Sequence, residues 1–103
     1  EHHVKIVFEP QQEAKAAPPT AHNAPIVKAL EKAIREIYKV EPKVQGIGGG
    51  TVAACFRRLN LPAVVYSRLN ESAHQPNEYC ILDNLMGDAK IFAISALLLG
   101  EKN

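Results

Sequence analysis

The sequence is poor in features that announce a chemistry by themselves. It has two cysteines, Cys55 and Cys80, with no Cys-x-x-Cys pair and no disulfide framework. The expectation is two buried free thiols in a cytoplasmic protein. Charge of one sign is absent too. The net charge is +1, only Arg57-Arg58 are adjacent among the basic residues, and no field points to nucleic acid or a membrane. No hydrophobic run reaches the roughly 18 residues of a transmembrane helix. No signal peptide is visible, and there are no internal repeats. Asn70-Glu71-Ser72 fits the glycosylation sequon but, without a secretion signal, reads as chance. The first residue is Glu1 rather than Met, so a cut, processed or truncated chain is expected.

What is present suits one small domain. The chain has 103 residues, 47% hydrophobic and 22% charged. Such a chain buries somewhat over ~60% of its unfolded surface, a real but thin core.

Val4, Ile6 and Phe8 alternate with Lys5 and Glu9, which predicts a half-buried strand. The segment that follows is rich in proline, and Pro18-Pro19 resists helix and sheet alike. Asn23-Ala24-Pro25 then opens a helix, with Asn23 as cap and proline in the first turn. Ile26, Leu30, Ala33 and Ile37 recur at helical spacing, widened by Val27 and Ile34. Glu31 and Arg35 stand at the i,i+4 spacing of a favourable ion pair. Val40 to Val44, with Pro42, ends this helix, and Lys43 to Ile47 predicts a short strand.

A second helix is expected in Thr51 to Asn60, with Val52, Cys55, Phe56 and Leu59 on one face. Leu61 to Ser67 is a continuous apolar run, as in a strand covered on both faces. Asp83 is the expected cap of a last helix whose main stripe is Leu85, Ala89, Phe92, Ala96 and Leu99. Ile91, Ile94 and Leu98 make its second side apolar, so part of its cover is expected from another domain or chain. The order strand, linker, helix, strand, helix, strand, helix predicts an α/β fold. Its sheet would be mainly parallel, with helices on its faces and right-handed crossovers.

Two places carry candidate chemistry. Gly46, Gly48, Gly49 and Gly50 lie between an expected strand and helix. Glycine lets a ligand approach backbone N–H groups, and a helix start favours an anion. Thr51 adds a hydroxyl. A dinucleotide fingerprint would need glycine at position 51, and a P-loop would need a lysine that is absent. A tight turn packing helix on strand and a site for a carboxylate or phosphate both remain open.

The second place is the polar run Ser72 to Cys80, which carries His74. His74 reads as a metal ligand, with Asn77 or Glu78 fixing its tautomer, as a general base, or as a surface histidine. Composition alone favours the last, because one imidazole is not a metal site. His2, His3 and His22 lie in or near the start and give only a weak local alternative. Pro76 argues against a helix that would align His74 with Glu78.

The run from Gly46 to Ala54, then Pro62 to Cys80, then the apolar helix from Leu82 resembles the C-terminal part of the zinc-dependent peptidases and deacylases. That family includes succinyl-diaminopimelate desuccinylase, acetylornithine deacetylase and carboxypeptidase G. The Gly-Gly-Gly-Thr loop and the Ala-His-x-x-Asn-Glu run, in this order, carry the likeness.

The resemblance implies a fragment of a larger two-domain fold. Residues 1–10 would be the last strand of an inserted lid or dimerisation domain, and 11–22 a hinge linker. Residues 23–103 would be the C-terminal half of the catalytic domain. It implies that His74 ligates one of two zinc ions, with cobalt or manganese as possible substitutes. It implies that Gly48, Gly49, Gly50 and Thr51 hold the substrate, and that Asn77 and Glu78 support the ligand. The implied reaction is hydrolysis of the amide bond of an N-acyl amino acid or short peptide by a metal-activated water.

The family's other ligands, its bridging aspartate and its general-base glutamate have no counterpart here, so no catalytic residue is expected in this fragment. Its implied partners are the N-terminal part of the same protein and a further copy. The chain alone is expected to be inactive. The alternatives are a stand-alone α/β module binding a small anion, and a self-associating fragment without activity.

Overall fold

A computed structural model describes residues 3–7, 16–46 and 50–101. The described residues form three helices: α1 (Pro25–Tyr38), α2 (Ala53–Arg58) and α3 (Leu82–Gly100). The packed centre is α1 against α3. Leu30, Ala33 and Ile34 of α1 meet Ile91 of α3, and Val64, Tyr66 and Ile94 close in around them.

The expected parallel sheet is not there. Among the described residues there is no strand. The run 61–67 and residues 4–7 and 43–46 are irregular, and Ile47, Phe8 and Glu9 lie outside the described residues. The physical reason is that side-chain pattern reports which faces want burial, whereas a strand exists only where two backbones pair. Among the described residues no second backbone pairs with 61–67. Side chains take over part of the ladder's task. The Thr20 hydroxyl donates to Ala63 O at 2.6 Å and accepts from Ala63 N at 3.1 Å, and Arg57 Nη1 donates to Ala63 O at 3.3 Å.

α1 follows its sequence pattern closely. Pro25 stands at its start, and Val27, Ala29, Leu30, Ala33 and Ile34 are buried. The cap is Ala24, not Asn23, and no side chain bonds the first N–H groups. Lys39 ends the helix in the left-handed region, φ 56°, its N–H donating to Arg35 O. The expected Glu31–Arg35 pair does not form. Glu31 meets Lys28 at 3.5 Å, and Arg35 turns to Glu41 at 3.0 Å. That hydrogen bond raises the Arg35 pKa.

α3 packs through its second apolar side, with Ile91 in the core and Ile94 against it, rather than through its main stripe. The buried residues are Gly87, Asp88, Ile91 and Ser95, while Leu85, Phe92 and Leu99 of the expected main stripe are exposed. Gly87 decides the face. A Cβ there would overlap the Tyr38 ring, whose carbons would lie 2.7 and 2.8 Å away, so only glycine lets α3 approach α1 so closely. Asp88 then bonds inward. The cap of α3 is Ile81 rather than Asp83, which lies in the first turn beside the positive end of the helix dipole.

α2 buries nothing, and Val52, Phe56 and Leu59 are exposed. Both thiols are exposed as well, against the expectation of burial, because no described element covers α2 or the segment before α3. Among the described residues no helix is long and apolar enough to cross a membrane.

Candidate functional site

The polar run expected to carry chemistry folds as a turn-rich loop between 70 and 79. Its entrance is fixed by α3. Asp88, only 7% exposed, accepts from the Arg68 backbone N–H at 2.8 Å and from the Ser67 hydroxyl at 3.1 Å. Its other oxygen accepts from the Tyr38 hydroxyl at 3.1 Å. The Arg68 guanidinium lies 4.5 Å from the centroid of the Tyr38 ring, a cation–π contact. One buried carboxylate thus joins α1, α3 and the segment leading to the loop.

These contacts set the titration of the tyrosines. Burial first, and the hydrogen bond to Asp88 second, raise the Tyr38 pKa. Tyr66, packed edge-on to Phe92 at 6.2 Å between ring centroids, is raised by burial and by the nearby Asp88 charge. Both phenols stay protonated and neutral through the ordinary pH range.

The loop closes on a serine. Ser72 is 8% exposed, and its hydroxyl donates to Tyr79 O at 3.1 Å. The same oxygen accepts from Tyr79 N at 3.3 Å and from Asn70 Nδ2 at 2.6 Å. Gln75 N donates to Ser72 O at 3.1 Å, which makes a turn around His74. His74 and Asn77 occupy the left-handed region, φ 61° and 59°. His74, Asn77 and Glu78 are exposed, and no hydrogen bond joins either neighbour to the imidazole.

Among the described residues no three His, Cys, Asp or Glu side chains come together. The exposed His74 ring fits one coordination position, since neutral imidazole is a good ligand for zinc. It does not make a centre by itself.

The second expected place is separate. Gly48 and Gly49 lie outside the described residues. Gly50 has open space around it, and Thr51 O accepts from Ala54 N at 3.1 Å where α2 begins. Thr51, Gly46, His22, Lys43, Arg57 and Ser67 are among the residues lining a cavity of about 730 Å³. His74 is not among them, so the described residues do not join the two places in one cavity. Ser72, Asp88, Thr20 and Tyr38 were not singled out by sequence reasoning. Only Asp88 carried a signal, a carboxylate set among apolar helix positions.

Comparison with known proteins supplies what the geometry leaves open. Residues 3–97 match the peptidase family M20/M25/M40. A protein of Methanocaldococcus jannaschii named an uncharacterized metallohydrolase is 41% identical over 73 residues, 71% of this chain and 18% of that protein. One of Methanococcus maripaludis bearing the same description is 37% identical over 73 residues, again 71% and 18%. A succinyl-diaminopimelate desuccinylase of Orientia tsutsugamushi is 26% identical over 85 residues, 82% of this chain and 22% of that protein. The chain therefore spans about a fifth of the length of the curated relatives it matches. No solved structure matches it. The match across nearly all of its length makes this chain a member of the peptidase family M20/M25/M40.

Proposed function

We propose that this chain supplies one metal ligand, His74, to a zinc hydrolase that cleaves the amide bond of N-acyl amino acids or short peptides. The observation that carries the reading is the His74 imidazole itself. It stands exposed and without a hydrogen-bond partner on a loop whose two ends are bonded down. An idle surface histidine needs no such mounting.

The substrate class follows the relative named a succinyl-diaminopimelate desuccinylase. Two zinc ions are the expected metals, with cobalt or manganese able to substitute, and a bound divalent ion would supply Lewis-acid chemistry. Gly48, Gly49, Gly50 and Thr51 would hold the substrate's carboxylate through backbone N–H groups and a hydroxyl. Asn77 and Glu78 would orient the His74 ring. The remaining ligands and the proton-transferring carboxylate belong to other parts of the same protein, and the chain by itself is inactive. On this reading residues 1–10 close an inserted domain, 11–22 form the hinge, and 23–103 complete the catalytic domain. Two free cysteines and no disulfide suit a cytoplasmic setting.

The test uses the complete protein loaded with zinc. His74→Ala should lower the zinc bound per chain and abolish hydrolysis of an N-succinyl amino acid. Unchanged zinc content in that variant would remove the reading.

A further inference from the structure

We propose that Ser72 is a positioning residue for His74: its buried hydroxyl, bonded to both backbone groups of Tyr79, sets the loop that presents the imidazole. The inference rests on the reading of His74 as a metal ligand and names what holds that ligand in place.

Ser72 is the one buried residue in a run where 71 and 73–80 are all exposed. Serine is mostly a surface residue, and a buried hydroxyl needs partners. A hydroxyl has one proton to donate and two lone pairs to accept with. Ser72 uses them all. The proton goes to Tyr79 O, and the lone pairs receive Tyr79 N–H and Asn70 Nδ2. No capacity remains for a metal or a substrate, which excludes Ser72 as a nucleophile and leaves it a structural task.

The task is visible in the backbone between its partners. Two non-glycine residues, His74 and Asn77, are held in the left-handed region. That conformation costs a residue with a Cβ some free energy, less for Asn and His than for most, so a loop tie helps to hold it. Closing residue 72 onto residue 79 shortens the loop to a small ring and supplies that constraint. A ligand presented this way is already ordered, so metal binding need not pay for freezing the loop. Asp88 fixes the entrance through Arg68 N and the Gln75–Ser72 backbone bond closes the turn at His74, while the Ser72 hydroxyl ties that turn to Tyr79 on the far side.

The experiment measures zinc affinity in the complete protein, together with hydrogen exchange at the Tyr79 amide. Ser72→Ala should weaken zinc binding by about 10–100-fold, the usual effect of losing a residue that orients a ligand. The Tyr79 amide should exchange faster. Ser72→Thr, which keeps the hydroxyl, should restore both. If Ser72→Ala keeps wild-type affinity while His74→Ala loses zinc, the positioning role is overturned and the ligand reading stands. If His74→Ala keeps its zinc, the ligand reading falls and takes this role with it. Should Ser72→Ala fail to fold, Asn70→Ala removes one bond to the same oxygen. A smaller loss of affinity there supports the proposal, and unchanged affinity overturns it.

Discussion

Asp88 shows how far one residue departs from its neighbours' character. It sits in an apolar helix, yet its two oxygens accept from Tyr38, Ser67 and the Arg68 backbone. A carboxylate suits this place because it is acceptor-only, and all three partners are donors. Asp88→Asn would turn an amide N–H₂ toward at least one donor. Asp88→Ala would leave the Arg68 N–H without a partner. Orphaning a buried donor costs about 1–3 kcal/mol. Both variants should therefore melt lower in urea or heat, by a few degrees or more. A variant with unchanged stability would mean that the three bonds are formed without net gain.

At the scale of the element, Gly87 and Tyr38 settle how the two long helices meet. Replacing glycine by alanine inside a helix ordinarily gains about 1 kcal/mol. Here the new methyl would meet the Tyr38 ring, and overpacking in such a place costs about 1–3 kcal/mol. The clash should win, so Gly87→Ala destabilises. In a Tyr38→Ala background the obstacle is gone, and the same substitution should turn stabilising. Urea titrations of the two single variants and the double variant measure this reversal of sign, and additive effects would refute it.

The same pair explains what the sequence made legible. α1 was readable because its apolar spacing and its first-turn proline act within one element. The buried face of α3 was readable only in part, through Ile91 and Ile94 of its second apolar side. Hydropathy put Leu85, Phe92 and Leu99 in the main stripe, but a glycine's close approach and a carboxylate's bonds turned the side of Gly87, Asp88 and Ile91 inward. Helices at 25–38 and 82–100 were within reach of local rules. The strands were not, because 61–67 shows its apolar pattern with no backbone paired to it among the described residues. Of the candidate site, His74 stood out by residue type, while Ser72 was hidden by being an ordinary loop serine until its three bonds were visible.

At the scale of the whole molecule, the described residues leave much apolar surface uncovered. Its Cα radius of gyration is 18.4 Å, against about 13 Å for a compact domain of this length. The outward face of α3 presents Leu82, Met86 and Leu97, with Leu85, Phe92 and Leu99 beside it, all exposed. Apart from α3, the stretch around α2 exposes Val52, Phe56 and Leu59 as well. Apolar patches on this scale bind something when they can. The chain on its own should therefore self-associate at micromolar concentration through α3. Met86→Lys with Leu97→Glu puts charge on the outward face without touching the side that packs on α1. Sedimentation should then shift toward the monomer while helical circular dichroism stays unchanged, since both side chains point away from Leu30, Ala33 and Ile34. Association that persists undiminished in the double variant would show that another surface drives it.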